Sequence, residues 1–281
     1  MEAEFHSSNA DDFAQRHGMS SYRVDRYTED YLMELRALPP GSVILEVGGG
    51  EGIEATRMQE MGMTVIQSDI AKGMVQRARQ RTQASCRRGN SVFVVCDAEQ
   101  LPVPNGSMDA VMIVGALHHL LSPEKFVIAA GRALKPGGLL VIGFEPNRWP
   151  YFTLFPASRI LKSLLHPCRS KPAEGTRSIA DEKTTGFVPA DFVKYLTMAG
   201  LVQVRLRRIW YVLGFVHSFL MILNNRRSTE HLLELPVVLQ HWLVRLDDIL
   251  AHIPLVRNFC WHWSVIARLP SKESIQADKA T

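Results

Sequence analysis

Three glycines at alternate positions are the residues of this chain that most directly suggest chemistry. Gly48, Gly50 and Gly52 follow Glu46 at the end of the apolar segment 43–47. Because glycine adopts positive φ angles without strain, this pattern predicts a buried strand that opens into a tight backbone loop. Such a loop lets the backbone approach a nucleoside-containing cofactor closely, whereas the plainer interpretation is a glycine turn with no ligand.

The register of these glycines separates two kinds of cofactor. A dinucleotide fingerprint has the pattern G-x-G-x-x-G, and counting from Gly48 the third glycine is replaced by Ile53. Counting from Gly50, the third position is Ala55, which the relaxed fingerprint tolerates. An NAD-dependent oxidoreductase is therefore an alternative, although the register of the glycines at 48, 50 and 52 opposes it.

Two carboxylates follow the next two predicted strands. Asp69 lies 21 residues after Gly48, where a carboxylate can accept hydrogen bonds from both hydroxyls of a ribose. A helix N-cap is the alternative role for Asp69. Asp97 and Ala98 follow the third predicted strand, where the carboxylate would lie near the exocyclic amine of an adenine.

The same segments resemble a known family. The E-x-G-x-G-x-G pattern of residues 46–52 resembles motif I of class I S-adenosylmethionine-dependent methyltransferases. Residues 97–109, DAEQLPVPNGSMD, are similar to the D-A-x-x-L-P-F-x-D-G-S-F-D segment of ubiquinone/menaquinone-type and methyltransferase type 11-like enzymes. The resemblance implies that S-adenosyl-L-methionine is the cofactor. Its predicted binding residues are Glu46, Gly48, Gly50, Gly52, Asp69, Ile70, Asp97, Ala98 and Gly115.

Three further side chains are candidates for acid–base catalysis. His118 and His119 follow the fourth predicted strand, and Glu145 follows the fifth. A histidine at this end of the sheet could act as general base toward a hydroxyl or an acidic carbon. In the alternative interpretation, one histidine packs under the cofactor, the other caps the next helix, and Glu145 is a buried, paired carboxylate.

The elements that must position these residues alternate between strand and helix. Strands are predicted at 43–47, 64–68, 91–96, 109–114, 139–144, 202–209 and 263–269, and helices at about 53–61, 71–84, 123–134, 191–199 and 229–252. This rhythm predicts an α/β fold with a doubly wound, mostly parallel, seven-stranded Rossmann-like sheet. Ligands of such sheets bind at the carboxyl ends of the strands, where the candidate site residues fall.

The composition is that of a globular protein, with 46% hydrophobic and 21% charged residues. The four cysteines lack C-x-x-C spacing, so they predict neither a metal site nor a disulfide framework, and they fit a reducing cytoplasm. The polar, acidic N-terminus has no apolar signal core, which argues against secretion.

The second half of the chain differs from the first in charge and in hydrophobic pattern. Residues 1–150 contain 15 Lys and Arg against 18 Asp and Glu, whereas residues 151–281 contain 17 against 10. We expect residues 1–146 to form N-terminal helices and the cofactor-binding half of a methyltransferase domain. Residues 147–281 would complete the same domain, with apolar helical insertions after strands five and six at about 147–186 and 210–259.

These insertions predict a lid over a small apolar or lipid-like substrate. The apolar run at 210–223 is shorter than the roughly 20 residues that span a bilayer, but its aromatic residues and flanking arginines suit peripheral contact with the inner face of a membrane. The alternative is a self-contained helical cap. Nucleic acid is disfavoured as a partner, because the arginines alternate with aliphatic runs.

The sequence thus predicts a methyltransferase that moves a methyl group to oxygen or carbon of an apolar or lipid-linked small molecule. A non-catalytic, cofactor-binding partner subunit is the alternative from another functional class. The acceptor atom and the oligomeric state stay open.

Overall fold

A computed structural model describes residues 31–84, 89–150, 186–224, 233 and 235–271. Its strands are β1 (Val43–Val47), β2 (Thr64–Asp69), β3 (Asn90–Val95), β4 (Met108–Val114), β5 (Leu134–Pro146), β6 (Val202–Ile209) and β7 (His262–Arg268). Its longer helices are α1 (Ile53–Glu60), α2 (Lys72–Ala84), α3 (Pro123–Ala133), α4 (Pro189–Met198), α5 (Val212–Asn224) and α6 (Val237–Leu250).

The strands form one seven-stranded sheet in the order β3-β2-β1-β4-β5-β7-β6. The first five strands run parallel, and β7 is antiparallel to both of its neighbours, β5 and β6. The predicted doubly wound, mostly parallel sheet is therefore confirmed. Because β6 runs in the same direction as β5, the carboxyl ends of β1 to β6 lie along one edge.

Alternation of apolar side chains along β1 builds a core on each face of the sheet. Leu45 belongs to the cluster that includes Phe126 of α3, whereas its neighbour Ile44 belongs to the cluster that includes Met58 of α1. Successive strand residues point to opposite faces, so a strand covered by helices on both sides must be apolar throughout. This explains why β1 reads as a continuous apolar run up to Glu46.

Two element boundaries differ from the sequence prediction. The Lys135–Gly138 turn falls within β5, where the pairing with β4 shifts its register between Met108 and Ala110. Helix α6 begins at Val237, directly after Pro236, and residues 229–232 of the predicted helix lie outside the described residues. Proline disfavours helical geometry in the residue before it, which accounts for the late start.

The predicted lid is only partly covered by the described residues. Helices α5 and α6 lie in the connection between β6 and β7, and they pack together through a small cluster that includes Leu213 and Val244. Most of the predicted insertion at 147–186 lies outside the described residues, as do residues 1–30. Within the described ranges, no helix is long and apolar enough to cross a membrane.

Candidate active site

A cavity of about 310 Å³ opens at the carboxyl ends of β1 to β4. Such a volume lies at the lower end of the roughly 300–1,000 Å³ typical of small-molecule sites. Seven of the predicted site residues line it: Gly48, Asp69, Ile70, Asp97, Ala98, Gly115 and His119. The other five, Glu46, Gly50, Gly52, His118 and Glu145, do not line it and are described below.

The glycine loop after β1 has the backbone geometry that its sequence predicts. The φ angles of Gly48, Gly50 and Gly52 are 64°, 50° and 74°, a region that residues with a Cβ adopt rarely. An added Cβ at Gly48 would lie 2.6 Å from Cβ of Ala116, whereas one at Gly50 would meet nothing within 4 Å. The loop is therefore closed against the protein at Gly48 and faces open space at Gly50.

Asp69 holds this loop in place. Its Oδ2 accepts a hydrogen bond from the backbone N–H of Gly50 at 3.0 Å, and its Oδ1 accepts one from the N–H of Ala71 at 2.8 Å. One carboxylate thus joins the end of β2, the glycine loop and the start of α2. Because each carboxylate oxygen has a second lone pair, Asp69 can bind these N–H groups and still accept from a ligand in the cavity.

Gln67 is a second, fully buried anchor of the loop, and sequence reasoning missed it. Its Nε2 donates to the carbonyl of Gly50 at 3.1 Å. An added Cβ at Gly49 would lie 2.8 Å from Cγ of Gln67 and 2.8 Å from Cδ of Glu46. Gly49 is therefore required by side-chain packing and not by its φ angle. An amide directly after the apolar residues Val65 and Ile66 was the available signal.

Glu46 is a buried carboxylate beneath the loop. It is 2% exposed, and its Oε2 has no hydrogen-bond partner among the residues that the structure describes. Burial raises the pKa of Glu46 well above its usual range, and the negative charges of Glu54 and Asp69 raise it further. A cation placed beside Glu46 would relieve this unfavourable charge.

The adenine-side residues lie on the loops after β2 and β3. Ile70 is 45% exposed, although it is a large apolar residue, and Ala98 lines the cavity with it. Oδ1 of Asp97 accepts from the N–H of Glu99 at 2.9 Å, which fixes the turn after β3. The cavity therefore offers an apolar wall beside a carboxylate, an arrangement suited to a flat heterocycle with an amino group.

Glu145 lies at the end of β5 and organises the segment after β4. Its Oε1 accepts from the N–H groups of Ala116 and Leu117, and its Oε2 accepts from the N–H of His118, at 2.9–3.1 Å. Nδ1 of His118 lies 2.9 Å from the same Oε2. Because an ionised carboxylate can only accept, Nδ1 donates in this contact. This geometry favours the interpretation of Glu145 as a buried, paired carboxylate.

The two histidines differ in position. The His118 side chain is 15% exposed and is held by Glu145, whereas His119 lines the cavity directly. Their ring centroids are 4.0 Å apart with an interplanar angle of 39°. The predicted catalytic trio is thus brought together at the edge of the cavity, with His119 nearest to its space.

Comparison with known proteins adds a family to this geometry. Residues 45–142 match the family described as a methyltransferase domain. The chain is 30% identical over 139 residues to demethylmenaquinone methyltransferase from Tropheryma whipplei, covering 48% of this chain and 56% of that protein. It is 38% identical over 127 residues to the S-adenosyl-L-methionine-dependent Diels-Alderase iccD from Talaromyces variabilis, covering 43% and 44%. The chain therefore matches about half of the length of these relatives.

Residues 45–142 match a methyltransferase domain, and the relatives support a class I S-adenosylmethionine-dependent methyltransferase. In agreement, the structure of phosphoethanolamine N-methyltransferase 2 from Haemonchus contortus in complex with S-adenosyl-L-methionine matches with a TM-score of 0.60. The match covers 97% of this chain and 60% of that chain at 14% identity, so it shows the fold. The family match leaves the NAD-dependent alternative without support.

The residues of the methyltransferase domain fit S-adenosylmethionine. Glu46 can receive a positive charge, Asp69 retains acceptor capacity for a ribose, and Asp97 with Ile70 offers an acceptor beside an apolar wall. When bound, the cofactor supplies an electrophilic methyl group on a sulfonium ion. The glycine loop faces open space at Gly50, where any other residue type would place its side chain.

Proposed function

We propose that this protein transfers a methyl group from S-adenosylmethionine to oxygen or carbon of an apolar or lipid-linked small molecule. The observation that carries the proposal is the convergence of Gly48, Asp69, Asp97 and His119 on one cavity. In the transfer, the bond between sulfur and methyl carbon breaks as the acceptor forms a new bond to that carbon. S-adenosylhomocysteine and the proton of the acceptor are the other products.

The contribution of the chain is to position the acceptor and to remove its proton. Holding two reactants in line can supply much of the rate of such a displacement. We propose His119 as the general base, because it is the member of the histidine pair that lines the cavity. Glu145 and His118 would then be positioning residues that hold the segment 116–119 through four hydrogen bonds.

An apolar acceptor is supported by the residues beside His119. Ala116, Leu120 and Leu121 line the same end of the cavity, and Leu121 is 83% exposed. Exposed leucine at the mouth of a cavity suits contact with an apolar ligand. The Tropheryma whipplei relative is named for methylation of demethylmenaquinone; we carry over the apolar class of acceptor, and not that compound.

A second candidate function is cofactor binding without methyl transfer. The relative from Talaromyces variabilis is named as a Diels-Alderase that depends on S-adenosyl-L-methionine, and it is 38% identical to this chain over 127 residues. This observation revives the alternative of a protein that needs the cofactor but does not consume it. Cofactor affinity alone therefore does not decide the reaction.

The test combines turnover with binding. Purified full-length protein is incubated with methyl-labelled S-adenosylmethionine and a lipid extract, and label in the organic phase is identified by mass spectrometry. His119→Gln should lower turnover by about 10²–10⁴, the usual contribution of a general base, with unchanged affinity for S-adenosylhomocysteine. His252→Gln, an exposed histidine outside the cavity, is the matched control. Tight cofactor binding with no labelled product from any extract would favour the second candidate.

A further inference from the structure

Helix α6 buries two polar residues against the protein and leaves several large apolar residues exposed. The residues it buries are Gln240, Val244 and Asp247, two of which are polar. Large apolar residues occupy the outward side of the helix: Val238, Trp242, Leu246 and Ile249. Single exposed apolar residues are common, whereas a contiguous set of them marks an interaction surface.

Hydrogen bonds from the buried polar residues fix this orientation. Oδ2 of Asp247 accepts from the N–H of Tyr211 at 2.9 Å, and Oδ1 accepts from the N–H of Val212 at 2.8 Å. Nε2 of Gln240 donates to the carbonyl of Leu235 at 2.7 Å. Rotation of α6 to bury its apolar side would leave these groups without partners, and each such loss is unfavourable in a buried place. The outward apolar side is therefore built into the docking of the helix.

The exposed residues form one continuous strip. The spacings between the four outward residues of α6 are four, four and three positions, which places them on a single side of a helix. Their exposed fractions run from 40% to 70%. Three further exposed apolar residues follow the helix in the chain: Ile253, Leu255 and Phe259, of which Leu255 is 87% exposed. We call these seven residues the α6 face.

Cations accompany the α6 face. The guanidinium carbon of Arg245 lies 5.5 Å from the ring centroid of Trp242, and both side chains are exposed. Arg257 is exposed between Leu255 and Phe259. Residues 151–281 carry 17 Lys and Arg against 10 Asp and Glu, so a second copy of the chain would bring like charge to this half. A partner with a negatively charged surface and an apolar interior would be complementary to the arginines and to the exposed apolar residues.

We propose that the α6 face binds the surface of a bilayer that contains anionic phospholipid, with the helix lying in the plane of the interface. Apolar residues with Trp on one side and arginines beside them are the composition of such helices. Helix α6 has 14 residues, which is too short to span a bilayer. The inference does not depend on methyl transfer, because it rests on α6 and not on the cavity.

Vesicle sedimentation of the full-length protein tests this proposal. We expect binding to vesicles of phosphatidylcholine with phosphatidylglycerol that weakens with added salt, and much weaker binding to phosphatidylcholine alone. Trp242→Asp and Ile249→Asp should each lower the partition coefficient about tenfold or more. Val193→Asp is the matched control, because Val193 lies on α4 with 54% exposure and is not part of the α6 face.

Thermal unfolding and S-adenosylhomocysteine binding of each variant show whether it is folded. The proposal fails if the wild-type chain does not sediment with anionic vesicles, or if Val193→Asp weakens binding as much as Trp242→Asp. It also fails if analytical ultracentrifugation without lipid shows a dimer that Trp242→Asp dissociates while vesicle binding is absent. In that case a second copy of the chain covers the α6 face.

Discussion

Replacement of Asp69 by alanine separates two roles of one carboxylate. Asp69 binds the N–H groups of Gly50 and Ala71 at 3.0 and 2.8 Å, so it shapes the loop even without cofactor. Asp69 also lines the cavity, where its carboxylate would accept hydrogen bonds from both hydroxyls of a ribose. A simple loss of cofactor affinity would not tell these two roles apart.

The expected magnitude follows from the bonds that are lost. A hydrogen bond to a charged group contributes about 1.5–3 kcal/mol, so two bonds to the ribose correspond to about 3–6 kcal/mol. This equals a loss of roughly 10² to 10⁴ in affinity for S-adenosylhomocysteine. Loss of the two bonds to Gly50 and Ala71 should in addition lower the free energy of unfolding of the cofactor-free protein.

A thermodynamic cycle measured by calorimetry shows how much of the lost affinity comes from the ribose hydroxyls. S-adenosylhomocysteine and an analogue without the ribose hydroxyls are titrated into the wild-type protein and into Asp69→Ala. Removal of the hydroxyls should weaken binding strongly in the wild type and only slightly in the variant, because the partner carboxylate is already absent. Asp248→Ala, an exposed acid on α6, should bind as the wild type does. Equal losses from the analogue in wild type and Asp69→Ala would refute ribose recognition by Asp69.

Three further predictions concern the surroundings of the loop. Burial raises the pKa of Glu46, so the free energy of unfolding should fall as pH rises from about 4.5 toward the raised pKa. Glu46→Gln should flatten this decline in thermal unfolding experiments. The same variant should bind S-adenosylhomocysteine more weakly in calorimetry. Gly49→Ala should lower the free energy of unfolding in urea by about 1–3 kcal/mol, because the added Cβ would contact Gln67. Gly62→Ala tests the effect of a positive φ angle alone, because its added Cβ would lie 3.8 Å from Cβ of Pro40, an ordinary contact distance. Glu145→Gln should lower turnover, because an amide cannot accept all four hydrogen bonds that hold residues 116–118; unchanged turnover would contradict its positioning role.

The cofactor-binding half could be predicted because its signals are local. Gly48, Gly50 and Gly52 adopt the positive φ angles that their residue type permits, and Asp69 stands where a strand ends. Such features can be read from the sequence because each depends on the residue types and the hydrophobic periodicity of a few consecutive positions. Parallel topology then brings the strand ends to one edge without any further information.

Side-chain partnerships across the fold could not be predicted in the same way. The packing of Gly49 against Gln67 joins the loop after β1 to β2, two segments that are adjacent only in the folded sheet. Similarly, the apolar periodicity of α6 predicts an amphipathic helix but does not say which side faces the protein. Asp247 decides that question by accepting hydrogen bonds from the start of α5, a contact between residues 35 and 36 positions apart.

Two strained aromatic residues connect the end of β5 to helices α5 and α6. Phe144 and Trp210 have φ angles of 53° and 63°, and their ring centroids are 5.4 Å apart. Left-handed backbone in such bulky residues costs about 1–3 kcal/mol each and persists only where the surroundings impose it. Phe144 directly precedes Glu145, and Trp210 packs with Leu213 of α5 and Val244 of α6 in one cluster. The packing that holds α5 and α6 therefore also holds the end of β5, so the position of these two helices and the placement of Glu145 depend on the same contacts.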